Sequence, residues 1–128
     1  MTTQPSLDLG LPNIPPAILF DVGKRIARGI KWLDEVGPDD WRSLIDRERL
    51  DIQSCHDCNL GQLFGNYIEG CSELRISPTR EAALLGFNVL HPNSSSAKRE
   101  FEALNRGWQF AFDSGFDLRK IKRLRVAA

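Results

Sequence analysis

The sequence lacks a net charge, a long apolar run and an even set of cysteines, and each absence removes a class of function. Seventeen Lys and Arg balance seventeen Asp and Glu. No global field therefore draws the molecule toward nucleic acid, an anionic membrane or an acidic partner, and any such attraction has to be local. The stretches free of charged residues fall far short of the roughly 20 apolar residues that cross a bilayer. The start, MTTQPSLDLGLP, has neither the basic opening nor the apolar run of a signal peptide. The expected location is thus the reducing cytoplasm of whichever cell makes the protein, with no membrane partner. Three cysteines, an odd number, fit that compartment better than a disulfide framework and predict free thiols or a metal.

What is present is enough for one core. A length of 128 residues, 41% hydrophobic with three Trp and seven Phe, matches a single folding unit and is too short for two. Residues 1–14 carry Pro5, Gly10 and Pro12 with few large side chains and read as a flexible arm. Residues 15–116 read as a helical domain, and 117–128 as a basic tail or terminal helix. The expected class is all-α, with about five helices and at most one short extended segment.

The helix pattern is clearest after Pro15-Pro16, a favourable start because a proline in the first turn forfeits no needed hydrogen bond. Ile18, Val22, Ile26, Ile30 and Leu33 recur at spacings of three and four, with Lys24, Arg25, Arg28 and Lys31 on other faces, which predicts a helix over 16–36. A short helix through Trp41, Leu44 and Ile45 follows Gly37-Pro38, making a helical hairpin. Residues 47–54 read as a loop that pins Leu50 and Ile52 to the core. A third helix is expected over 58–67, capped by Ser54 or Asp57, with Leu60, Leu63, Phe64 and Tyr67 on one face. Ser77-Pro78 opens a fourth, which Gly86 and Phe87 end as a left-handed residue followed by an apolar one. Ser96 opens a fifth, over 97–114, whose Phe101, Leu104, Trp108, Ala111 and Phe112 trace a core stripe. Trp32, Trp41, Phe64, Tyr67, Phe87, Phe101 and Trp108 are expected to be largely buried.

Four constellations carry candidate chemistry. Cys55-x-x-Cys58 is the ligand pair of many zinc sites, and His56, Cys71 and His91 are the further ligands on offer; Cys55, His56, Cys58 and Cys71 form the candidate metal set. Zinc sites draw four ligands, usually from two such pairs, and here there is one pair and scattered singles. Buried packing of Cys58 is the competing reading. Thiolate chemistry at a helix start is a second candidate, weakened by the absence of the βαβ setting that redox pairs use. The small residues Cys58, Gly61 and Gly65 predict a close approach by another helix. Finally, Arg119, Lys120, Lys122, Arg123 and Arg125 offer phosphate contacts without sequence readout. Leu118, Ile121 and Leu124, every third residue, favour instead an amphipathic last helix packed on the core.

Trp32-Leu33-Asp34-Glu35, Gly37-Pro38 with Trp41, Ile45-Asp46, Leu50-Asp51-Ile52, the run Cys58-Asn59-Leu60-Gly61-Gln62-Leu63-Phe64-Gly65-Asn66-Tyr67, Leu85-Gly86-Phe87-Asn88 and a tryptophan-bearing last helix together give the sequence a family likeness. It resembles a group of small uncharacterised proteins of actinobacterial phages and prophages, over roughly residues 26–108. That group has no assigned activity, so the resemblance implies no catalytic or binding residue. It implies an accessory protein acting in a bacterial cytoplasm. No nucleophile, base and anion-stabilising group gather in the pattern, so the expected function is non-enzymatic binding of a bacterial host protein or of a second copy. The alternative is a small nucleic-acid-binding regulator that uses the basic tail, with or without a structural zinc.

Overall fold

The long apolar period after the double proline forms the first helix of the computed structural model, which describes residues 21–124. The 1–14 arm, the expected helix start at Pro15-Pro16 and Arg125 lie outside the described residues. Helix α1 runs Val22–Val36 and buries Val22, Ile26, Ile30 and Leu33 completely. Arg25 departs from expectation: it is 1% exposed rather than on a solvent face. Its position three residues after Val22 and four before Gly29 puts it on the flank of the apolar stripe, where a long side chain reaches inward. The chain then turns at Gly37, whose N–H donates to Leu33 O at 2.9 Å, and whose extended backbone meets the requirement of the following proline.

Helix α2, Trp41–Leu44, folds back on α1. Trp41 is 1% exposed and its indole donates to Asp34 Oδ1 at 2.8 Å, closing the expected hairpin. Residues 47–54 form turns, with Leu50 and Ile52 buried and the Ile52 N–H held by Asn105 Oδ1 at 2.7 Å. No strand occurs among the described residues.

The helix expected over 58–67 is two helices, α3 (Asn59–Phe64) and α4 (Tyr67–Leu74). Gly65 takes a φ of 103° and so ends α3, and Asn66 restarts the chain by accepting from the Glu69 N–H at 2.8 Å. The apolar face of the sequence runs across this corner, which hides the break from periodicity alone. Neither Ser54 nor Asp57 caps α3; Cys58 does, its Sγ accepting from the Gly61 N–H at 3.3 Å.

Helix α5 is Arg80–Leu84. Ser77 and Glu81 bond reciprocally at its start, each side chain accepting from the other's N–H at 3.0 and 2.7 Å. Gly86, at φ 80°, and the Phe87 N–H donating to Ala82 O at 2.9 Å close it as the sequence predicts. Helix α6, Ala97–Asp113, carries Leu104, Trp108 and Ala111 into the core, where Trp108 stacks on Phe87 with centroids 5.9 Å apart. Helix α7, Leu118–Lys122, packs on α1 with Ile121 fully buried. Of the seven aromatic residues expected inside, Trp41, Phe87 and Trp108 are, while Trp32, Phe64, Tyr67 and Phe101 are half-buried. The protein is an all-α domain with seven helices among its described residues rather than five. The additions come from the Gly65 corner and the ordered tail.

Candidate functional site

The cysteine segment is built around α3. Cys55 is exposed, Cys58 and Cys71 are buried, and all three are free thiols. Burial pushes the Cys58 thiol up from its ordinary value, against the pull of the backbone N–H groups it meets, and burial raises Cys71 as well. Both thiolates are therefore disfavoured, the opposite of an activated nucleophile. His56 is exposed, with Nδ1 3.1 Å from Gly65 O. A carbonyl only accepts, so a hydrogen bond there requires the tautomer with its N–H at Nδ1. Among the described residues no three His, Cys, Asp or Glu side chains are grouped to hold a metal ion. Cys55, His56, Cys58 and Cys71 thus do not come together as one ligand set: Cys58 is spent on a cap, and Cys71 lies against the Tyr67 hydroxyl on α4.

The close approach expected at Cys58, Gly61 and Gly65 has a different partner from the one predicted. A Cβ on Gly61 would stand 2.4 Å from Cys55 O and 2.5 Å from the His56 carbonyl carbon, so a loop, not a helix, presses on it. Gly65 has open space around its Cα and is needed for its dihedral. Gln62 extends the clasp, donating to Asp46 O at 3.1 Å and Asp57 O at 2.9 Å while accepting from the Asp46 N–H. Beside it Asn59 is fully buried with neither amide atom bonded.

Two concavities lie elsewhere, on either side of Arg28 and Leu84. One is an open groove of about 330 Å³ lined by Arg28, Trp32, Arg75, Ile76, Glu81, Leu84 and Leu85. The Trp32 indole donates to Leu74 O at 3.0 Å, which fixes the ring along the groove while leaving it half-buried. Arg75 has no side-chain partner among the described residues, and Glu81 is engaged by the Ser77 N–H. The other concavity, about 330 Å³, gathers, among the described residues, Arg25, Arg28, Arg80 and His91 with one acid, Asp21. Arg25 lines it, donating to Ala83 O and Asn88 O at 2.8 Å each and standing 2.8 Å from Glu100 Oε2. Burial pulls this guanidinium below its ordinary value, and Glu100 pulls it back.

In the tail, Arg119, Lys120 and Lys122 are exposed on α7 and Arg123 at its end, and Asp117 caps that helix by accepting from Arg119 and Lys120 N–H groups. The sequence reading did not find the groove or the arginine pocket. Arg28 and Trp32, four apart on α1, were a visible pair, but their partners on α5 come from more than fifty residues away.

Fold and surface define a small all-α domain with a tryptophan groove beside a cationic pocket. No helix among the described residues is long and apolar enough to cross a membrane. Neither family models, curated proteins nor solved structures give a match to the chain.

Proposed function

We propose that this is a non-enzymatic, phage-type accessory protein that acts in the bacterial cytoplasm by binding a host protein or a second copy of itself, using the Trp32 groove. The phage-type part rests on the sequence resemblance. The observation that carries the binding role is Trp32, a half-buried tryptophan along an apolar groove whose rim holds Arg75, without a side-chain partner among the described residues, and Arg28, bonded there only through Nε. Tryptophan and arginine are the residues that dominate interface energetics when a partner desolvates them. The raised thiols support the non-enzymatic side of the reading.

The groove fits an apolar side chain flanked by carboxylates. Among its described residues this chain carries such a segment itself at Ile68, 61% exposed on α4, beside the exposed Glu69 and Glu73. Light scattering over a concentration series and capture from host lysate, each with wild type and Arg75→Asn, test the role. Asn tolerates the left-handed backbone at residue 75 (φ 58°) while removing the cation. Association or a specific captured protein that the variant loses supports the proposal. A monomer that captures nothing, or capture indifferent to Arg75, overturns it.

The exposed cations of α7 favour a second reading, a small nucleic-acid-binding regulator with or without a structural zinc. Binding to duplex and single-stranded probes at low salt, falling steeply as salt rises, is its signature. No binding at low salt removes it.

A further inference from the structure

We infer that the pocket between α1, α5 and residues 88–92 binds a small phosphomonoester, with Arg28 and Arg80 on the phosphate. Among the described residues the lining holds three arginines and one acid. Arg25 is balanced by Glu100 at 2.8 Å, and Asp21 stands 4.0 Å from Lys24, so the excess charge belongs to Arg28 and Arg80. Arg28 spends only Nε, on Leu84 O at 3.2 Å, which leaves its terminal nitrogens to donate. Arg80 and His91 have no side-chain partner among the described residues.

Arg25 backs the two outer arginines. Its side chain is 2% exposed and held by Glu100, Ala83 O and Asn88 O, so it is a fixed cationic part of the pocket lining. Planar guanidinium forks match the oxygen spacing of phosphate, which a lone lysine does not. Leu84, Val89, Leu90 and Pro92 supply apolar wall beside these donors, and about 330 Å³ exceeds the needs of a bare oxyanion. The ligand class is accordingly a phosphate ester with a compact ring or aliphatic body. The pocket is independent of partner docking in one residue at least: Arg80 lines it and does not line the Trp32 groove.

The test is an amide-resolved NMR titration of the full chain with phenyl phosphate, inorganic phosphate, a nucleoside monophosphate and a phosphotyrosine peptide, each against sodium chloride at matched ionic strength. The expected result is saturable shifts at Val89, Leu90 and His91, with phenyl phosphate or the nucleoside monophosphate tighter than inorganic phosphate. Arg80→Ala weakens binding by about tenfold or more, Arg80→Lys by less, and Arg49→Ala, remote from the pocket, leaves it unchanged. Absence of saturable shifts up to about 10 mM, a range that already reaches very weak complexes, overturns the assignment. So do shifts that sodium chloride reproduces or that survive in Arg80→Ala. A peptide that binds tighter than the nucleoside monophosphate overturns the small-molecule assignment in favour of a phosphorylated protein.

Discussion

Arg25 Nη1 lies 2.8 Å from Glu100 Oε2, with both side chains almost wholly withdrawn from solvent. The pair ties α1 to α6, and its outlying atoms tie both to the loop between: Glu100 accepts from the Leu90 N–H, and Arg25 donates to Ala83 O and Asn88 O. Removing one partner leaves the other charge buried and alone. Glu100→Gln or Arg25→Met should therefore cost about 3–5 kcal/mol. Urea unfolding of each single variant and of the double variant measures this. The double variant should recover part of the loss, because it strands no charge, and strict additivity would contradict the pairing.

Asn59 should behave in the opposite sense. Its amide is buried with no bond at either end, and an apolar group of similar volume removes that penalty. Asn59→Leu is expected to stabilise the fold by about 1 kcal/mol, near the low end of the cost of an unsatisfied buried group. A loss of stability would show that the amide is satisfied by something other than this chain.

Gly61 and Gly65 separate the two uses of glycine. Gly61→Ala drives a methyl into the Cys55 and His56 backbone and should cost about 3 kcal/mol, the upper range for overpacking. Gly65→Ala meets no atom and costs only dihedral strain, about 1–2 kcal/mol. Equal costs would put the account of this corner in error.

The buried thiols predict both reactivity and pH dependence. Cys55 should react with a maleimide rapidly in the folded protein, and Cys58 and Cys71 only on the time scale of opening. Both buried groups have folded values raised above the ordinary thiol value of 9.0, and burial pushes the Tyr67 hydroxyl up from 10.0. Above pH 9 the unfolded chain then loses protons that the folded chain retains. Their contribution to stability is complete below that value and is lost as pH rises toward the folded values. The urea midpoint should fall between pH 8.5 and 10.5, and Cys58→Ser should lessen the slope. A midpoint flat over that range would contradict the burial argument.

Much of this fold was readable in the residues, and the failures have physical causes. The α1 stripe, the Gly86-Phe87 ending and the amphipathic spacing of Leu118, Ile121 and Leu124 were visible because each is local. The Gly65 corner was hidden because α3 and α4 share an apolar face across it. Arg25 was misplaced because charge says nothing about a guanidinium that finds Glu100 seventy-five residues later. The Cys-x-x-Cys spacing drew attention to metal chemistry, while the cap Cys58 makes with Gly61 needs no second cysteine. The Trp32 groove and arginine pocket join segments far apart in the chain, so no spacing rule reaches them.

The central claim is that association runs through the groove of α1 and α5. Amide hydrogen exchange, recorded on the free protein and in its associated state, tests it most directly. The account predicts protection confined to residues around Trp32, Arg75, Ile76, Leu84 and Leu85, abolished together with association by Arg75→Asn. Protection centred on α7, or no associated state at any accessible concentration and no host partner, would contradict it.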